Sequence, residues 1–572
     1  MDYLQVVNQE MPVSSTTSPT CLALSYSPDF KQFEKLQAKT GASRLSKVEF
    51  VNLNYFRKKK QLLFEVSGTT NPNEVLTILG PSKSGKTKLL NILAGKCLYP
   101  KGQEISGQVL GDGQPLYPIL RAGFVARMES NHTTSTVREA FQFSASLRLP
   151  SVLNKNHEAK AELIEDLIES LGLKKKARVQ VKSLSYSEKK KVSIGVELAI
   201  LPNVLFLDEY GYLLGAQETW ELTALLKSIA RKCVVICSVS QPPSEVFMEF
   251  SRICLLNQGH LIYQGLSSDL TKFFASKGHP CPEGFNPVDF ALMCIRNSSL
   301  ETFTVGNLET GLSKSGAPLS LHDPITMNLK ASGTNSYQRS YMYQTLLLLQ
   351  REARSVKRDP RYLIARLVST SLLIVLCALV FLNEGNVNNP LYFIGSHFGS
   401  FVFPFFASCF GVMTTTVFLT DDNKPTFIRE ASSYFYGYIP HAISRLLPEL
   451  IINFIVSVLT VLILYWSVGW HGNFMMIVLS LFLLLESCTS YAVFFAFSVS
   501  AATATALVSL ALVPQLLFIV SFFPILEYIF FSGLLTRNIL GNFCTSRSVT
   551  KLAAMDQLRL QYFLFDKNDS DH

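Results

Sequence analysis

Charge is scarce in this sequence of 572 residues. Asp, Glu, Lys and Arg make up 17% of it, against about 25% in an average soluble domain. With 48% hydrophobic residues, a disordered chain is excluded. The cation excess is small, 52 Lys and Arg against 43 Asp and Glu. No nucleic-acid-binding motif gathers those cations, so no nucleic acid is expected as a partner. Cysteine is ordinary at 11 residues, with no Cys-x-x-Cys pair and no dense spacing, so neither a metal cluster nor a disulfide scaffold is expected. No Ser-His-Asp or Cys-His hydrolase set stands out, and no internal repeat or low-complexity tract. The opening residues MDYLQVVNQEMPVSSTTSPT lack a basic segment followed by an apolar run. No cleavable signal peptide is expected there, and the N-terminal half is expected in the cytosol.

The scarcity is uneven. From Leu391 to Thr420 there is no Asp, Glu, Lys or Arg, a run of 30 residues, and from Leu450 to Leu526 the only charged residue is Glu486. About 20 apolar residues cross a bilayer core. Five spans are read on that basis, at about 362–382, 391–415, 449–468, 474–501 and 504–526. Helices of a soluble core would need a polar stripe that these segments lack.

The rest of the chain divides around them. Residues 1–45 are Ser/Thr/Gln-rich and read as a flexible tail. Residues 46–296 alternate short apolar strands (VLTIL at 75–79, NVLFL at 203–207, CVVICSV at 233–239) with helical patterns, as in a parallel α/β sheet with crossover helices. Residues 297–335 are polar and breaker-rich, a linker. Residues 336–361 form a basic connecting helix, 362–526 an all-α transmembrane domain with about five spans, and 527–572 a C-terminal tail.

Gly80-Pro81-Ser82-Lys83-Ser84-Gly85-Lys86-Thr87 has the spacing Gly-x-x-x-x-Gly-Lys-Ser/Thr between a strand and a helix, the context of a phosphate-binding loop. Its glycines let successive N–H groups face phosphate oxygens, and the helix N-terminus adds partial positive charge. Nucleotide contacts are expected from Gly80 through Lys88. Lys86 is expected to reach the β- and γ-phosphates, and Thr87 to ligate Mg²⁺. The strand NVLFL ends in Asp208-Glu209. Asp208 is expected to hold the Mg²⁺ through water, and Glu209 to polarise the attacking water as the catalytic residue. ATP and Mg²⁺ are the cofactors this set implies.

A phosphate loop followed by membrane spans resembles an ABC transporter, and the details resemble the White/ABCG half-transporters. The resemblance runs from about residue 46 to about 545. STVREAFQFSASLRLP (135–150), KKKVSIGVEL (189–198), Asn286-Pro287-Val288-Asp289-Phe290, RDPRYLIAR (358–366), PTFIREASSYFYGYIPHAISRLLPEL (425–450) and VPQLLF (513–518) each resemble a family segment. The fold implied is an α/β P-loop nucleotide-binding domain of the ABC ATPase type, then an all-α transmembrane domain of the ABC-2/ABCG type. The activity implied is ATP-driven movement of lipids, sterols or amphipathic compounds by a dimer, as a multi-pass membrane protein with its nucleotide-binding domain cytosolic.

Four elements depart from the family pattern. Arg127 stands where the family has the Q-loop Gln, and an arginine has no acceptor oxygen for a metal. Leu184-Ser185-Tyr186-Ser187-Glu188 stands for the signature loop VSGGE, bringing side chains where glycines admit phosphate. Tyr210-Gly211-Tyr212-Leu213-Leu214-Gly215 replaces the segment that carries the D-loop Asp. Ser240, before Gln241-Pro242, replaces the switch His. Hydrolysis is therefore expected to be impaired. A homodimer or, preferentially, a heterodimer with another ABCG-type half-transporter is expected. A non-transporting regulatory membrane protein of the same ancestry, dimerising with an active subunit, stays open beside it.

Other signals are weaker. Arg351, Arg354, Lys357, Arg358 and Arg361 place the entry to the first span inside. Five crossings then put the C-terminal tail outside, whereas its Arg537, Arg547, Lys551, Arg559 and Lys567 favour the cytosol, so count and charge disagree. Glu486 in the fourth span is a functional candidate by default, or equally a carboxylate bonded to a neighbouring helix. Phe401, Phe403, Phe405 and Phe406 are expected to pack or face lipid. Cys544 is expected to be a free thiol, and the sequon at Asn568 is discounted.

Overall fold

A computed structural model describes residues 30–39, 45–58, 60–96, 103–117, 120–128, 130–150, 153, 156–297, 339–382, 390–470 and 472–511. The linker 297–335 beyond Asn297, most of the fifth span and the whole C-terminal tail lie outside them. The chain forms two compact units. One comprises residues up to Pro360 together with Asn423–Pro448; the other comprises Arg361–Asp422 and the residues from Glu449 onward.

The first unit is built on a ten-stranded sheet in the order β5-β4-β1-β2-β10-β9-β3-β8-β7-β6. The strands are β1 (Val48–Arg57), β2 (Lys60–Thr69), β3 (Val75–Leu79), β4 (Gln103–Gly111), β5 (Gln114–Pro115), β6 (Ala122–Val125), β7 (Val204–Leu207), β8 (Val234–Ser238), β9 (Arg252–Asn257) and β10 (His260–Leu266). Strands β9, β3, β8, β7 and β6 pair in parallel, while β5, β4, β1 and β2 form an antiparallel wing. The central strands β3, β7 and β8 are buried along their whole length because both their faces are covered, and they are apolar but for Thr77 and Ser238. Alternate side chains serve opposite layers: Val75 and Leu79 join the core that holds Leu205 and Leu207, and Leu76 and Ile78 join the one that holds Val204 and Phe206. In such sheets ligands bind beyond the carboxyl ends of the parallel strands. Here those ends carry the phosphate loop, Asp208 and Ser238.

Helices cover the sheet: α1 (Lys31–Lys39), α2 (Lys86–Leu93), α3 (Val137–Arg148), α4 (His157–Ser170), α5 (Tyr186–Leu198), α6 (Ala216–Ala230), α7 (Ser244–Met248), α8 (Leu270–Ser276) and α9 (Pro287–Asn297). Helix α1 lies in the segment expected to be a flexible tail. It is too short to persist alone, but Phe33 and Leu36, with Phe30 before it, are buried in the core. The Gln32 N–H donates to Asp166 Oδ2 at 3.0 Å. The basic connecting helix is α10 (Tyr341–Arg358). Arg358 grips Glu139 through two nitrogens, and this pairing holds the Glu139 carboxyl down at about 2, in spite of its partial burial.

The charges of 423–448 set this segment between the second and third spans of the 362–526 transmembrane domain, and it packs in the first unit. Its residues carry charges the spans lack, and Arg429, Glu430 and Arg445 are each ion-paired. Arg351 Nη1 donates to both Glu430 oxygens at 2.8 and 2.9 Å, and Tyr436 Oη donates to Glu430 at 2.6 Å. Lys96 Nζ reaches Ser433 Oγ at 3.2 Å.

The second unit holds α11 (Arg361–Val380) and α14 (Phe474–Ser498), with parts of α12 (Pro390–Ser432) and α13 (Tyr438–Leu464), and the shorter apolar α15 (Ala501–Ala511). Among the described residues four helices are long and apolar enough to cross a membrane. Several of their buried polar side chains bond to one another across helices, away from hydrocarbon. Arg366 pairs with Glu449 and Asn453. Asn453 Nδ2 donates to Glu486 Oε1 at 2.7 Å and to Thr489 Oγ1 at 2.9 Å. Glu486 is thus bonded to a neighbouring helix, the structural alternative left open by the sequence. Phe405 is buried and Phe403 largely exposed. Phe401 stacks on Trp470 with ring centroids 3.9 Å apart.

Candidate functional site

The phosphate loop leaves β3 and turns into α2. A Cβ on Gly80 would lie 2.1 Å from the Leu256 carbonyl oxygen, and φ there is +148°. Only glycine serves at that position. Gly85 ends the loop at φ +110°, before the first turn of α2. Lys86 is buried, and its Nζ donates to the Gly80 and Pro81 carbonyls at 2.7 and 2.9 Å. Its ammonium therefore lies across the mouth of its own loop. Burial lowers its pKa, in spite of the nearby Glu209 and Asp208 carboxylates. Ser84 is buried with its Oγ unpaired, a polar atom left for a ligand to satisfy. Ser82, Lys83 and Lys88 complete the stretch, with Lys83 in the left-handed region at φ +67°.

Strand β7 delivers Asp208 to this loop. Thr87 Oγ1 donates to both Asp208 oxygens at 3.0 Å, and Ser238 Oγ donates to Asp208 Oδ1 at 2.8 Å. Burial raises the Asp208 pKa, against those hydrogen bonds. A hydroxyl and a carboxylate in contact are the hard oxygen donors that Mg²⁺ takes beside substrate phosphates. The Thr87–Asp208 pair thus fits the metal, and the Gly80–Thr87 loop with its orphaned Ser84 hydroxyl fits the phosphates.

Glu209 is placed differently. Its backbone N–H donates to Ser238 Oγ at 2.8 Å. Ser240 Oγ donates to its Oε1 at 2.7 Å. Arg127 Nε lies 2.9 Å from its Oε2, and the Arg127 guanidinium carbon sits 3.9 Å from the centre of the Tyr212 ring. Both carboxylate oxygens are thereby engaged. Tyr212 also lines a cleft of about 260 Å³ with Glu209, Ser240 and Gln241.

The Leu184–Glu188 loop is well formed in its own terms. Ser185 caps α5, its Oγ accepting from the Glu188 N–H at 3.3 Å while Glu188 Oε2 accepts from the Ser185 N–H at 3.0 Å, a capping box. Ser187 is buried and Tyr186 is 59% exposed. Of the two side chains expected to intrude, only the phenol projects. Tyr210 is turned into the core, its hydroxyl 2.7 Å from Thr223 Oγ1.

The structure therefore brings together Gly80–Lys88, Asp208 and Glu209, which the sequence had singled out. It adds Ser238, whose signal was its position at the end of an apolar strand. It also joins Arg127, Tyr212 and Ser240 around one carboxylate, where the sequence showed three separate departures.

Residues 63–210 match the family model for an ABC transporter, and residues 343–532 match that for an ABC-2 type transporter. The chain is 31% identical over 458 residues to the broad substrate specificity ATP-binding cassette transporter ABCG2 of Rattus norvegicus, covering 72% of this chain and 67% of that protein. It is 30% identical over 444 residues to ABC transporter G family member 8 of Dictyostelium discoideum, covering 73% and 67%. Among solved structures, cbiO1 from Clostridium perfringens, part of the ABC transporter complex cbiONQ, matches at 22% identity and a TM-score of 0.34, over 40% of this chain and 91% of that one. The fold is a P-loop ABC ATPase followed by a helical ABC-2 domain, in a multi-pass membrane protein whose nucleotide-binding domain is cytosolic. The chain belongs to the ABCG (White) family of ABC half-transporters.

Proposed function

We propose that this chain is the nucleotide-holding, poorly hydrolysing subunit of an ABCG-type dimer that moves lipids, sterols or amphipathic compounds. The observation that carries the reading is the contrast at one site: a phosphate loop ready for nucleotide beside a Glu209 whose two oxygens are already bonded to Ser240 and Arg127. Gly80–Lys88 would hold the ATP phosphates, with the Lys86 ammonium exchanging its two carbonyls for phosphate oxygens. Thr87 and Asp208 would hold Mg²⁺, which supplies charge neutralisation at the β- and γ-phosphates when bound. Glu209 would orient and deprotonate water only through a carboxylate lone pair that Ser240 and Arg127 leave facing it.

The partner follows from the same residues. A homodimer would present Tyr186 at both sites. A heterodimer closes one site with this chain's phosphate loop against a glycine-bearing loop of the other subunit. The exposed Tyr186 also supports the alternative, a regulatory subunit that binds an active half-transporter without transporting. Reconstitution of the chain alone in liposomes tests the partner requirement. ATP-dependent flux of a lipid or amphipathic dye should be absent alone. Flux at about 1 s⁻¹ or faster, the low end of ordinary turnover, contradicts it.

A further inference from the structure

Three of the four family departures meet at Glu209. Arg127, two residues after β6, places Nε 2.9 Å from Oε2. Tyr212, three residues beyond Glu209, lies under the guanidinium with its ring centre 3.9 Å away. Ser240, after β8, occupies Oε1 at 2.7 Å. The carbonyls of Ala126 and Arg127 are in turn fixed by Lys190 Nζ at 3.0 and 3.1 Å, and Lys190 is buried in α5. Independent loss of function would leave these side chains unrelated. Here the arginine has a carboxylate to bind, an aromatic face to lie on and an anchored backbone.

We infer that Arg127 is a built-in latch on the catalytic base: it binds the Glu209 carboxylate, Tyr212 holds it there, and the pair suppresses ATP turnover by keeping the attacking water from the base. The inference rests on the reading of Glu209 as the base of a nucleotide site, and it deepens that reading by naming the group that restrains it. A guanidinium hydrogen bond to a carboxylate is charge-assisted and among the stronger ones. Stacking of arginine on tyrosine adds attraction that a lysine at the same place shares only in part. Arg127 acts through Glu209, so it is a positioning residue with a negative effect on the reaction.

The test uses the full chain in detergent. Wild type, Arg127→Gln, Arg127→Lys, Tyr212→Ala, Glu209→Gln and the double change R127Q/E209Q are compared for binding of a fluorescent ATP analogue and for phosphate release from Mg-ATP. Arg127→Gln should keep analogue binding and raise turnover by about tenfold or more, within the range a freed general base contributes. Arg127→Lys, which keeps the charge and only part of the stacking, and Tyr212→Ala should each fall between wild type and Arg127→Gln. The double change should abolish the gain, because the latch works only through Glu209. An Arg127→Gln protein that binds the analogue and turns over no faster overturns the latch, as does a gain that persists without Glu209. Loss of analogue binding in every protein, wild type included, sinks the nucleotide-site reading instead. The latch is then judged by thermal melting of the same four Arg127 and Glu209 combinations: non-additive shifts support the pair, and additive shifts overturn it.

Discussion

Around the phosphate loop, the polar contacts are ones a nucleotide can replace. Lys86 holds two carbonyls of its own loop, Thr87 shares Asp208 with Ser238, and Ser84 Oγ is unpaired. Around Glu209 the contacts are of another kind. Ser240, Arg127 and, behind it, Tyr212 close on the carboxylate from three separate stretches of chain. The first arrangement consists of contacts that a ligand's phosphates can exchange; the second completes itself without one. The difference teaches that binding and hydrolysis depend on separable residues. A chain can keep the phosphate cradle, which needs two glycines and a lysine in one short loop, while altering the groups that bring water to the γ-phosphate.

The change with the largest expected effect strikes the binding half. Lys86→Ala removes charge-assisted phosphate contacts worth roughly 1.5–3 kcal/mol apiece. Titration with a fluorescent ATP analogue should show affinity reduced by about one to two decades. Unchanged affinity would mean that the loop does not hold phosphate, and the contrast between the two halves would collapse.

A smaller effect separates stability from nucleotide chemistry. Burial lowers His132 to about 4, with the Arg351 guanidinium adding to it. Its folded pKa lies below the ordinary value near 6.5, so the unfolded chain binds the proton first. The stability is full above about pH 6.5 and is lost progressively as pH falls towards 4. Melting of the detergent-solubilised chain should show a loss of about 1 kcal/mol between pH 7 and pH 5.5. Glu139, held at about 2 chiefly by Arg358, contributes stability that is lost only below its ordinary range, as pH falls towards 2. A melting temperature that does not fall between pH 7 and pH 5.5 would contradict the His132 environment.

The sequence was most legible where chemistry is written at short spacing. Gly80–Thr87 and Asp208-Glu209 each sit at the end of an apolar strand, so strand order alone brings them together. The apolar runs marked the membrane helices for the same reason, since a bilayer core demands about 20 such residues in a row. What escaped was pairing between distant loops. Nothing in Arg127 itself signals Glu209; only the parallel pairing of β6 with β7 sets the two strand ends side by side. Helix α1 escaped because a nine-residue stretch with Phe33 and Leu36 as its buried apolar side chains has little helical tendency until a core receives them. The charges of 423–448 mark a segment between two spans, but nothing in it signals that Glu430 pairs with Arg351 from α10 in the nucleotide-binding unit.

The central claim is that this chain holds ATP and scarcely hydrolyses it. Its most direct test measures saturable binding of an ATP analogue and phosphate release from Mg-ATP on one preparation of the full chain in detergent. The account predicts saturable binding that Lys86→Ala weakens, with turnover well below about 1 s⁻¹. Turnover at or above that rate that Glu209→Gln abolishes would contradict it, and so would the absence of saturable binding.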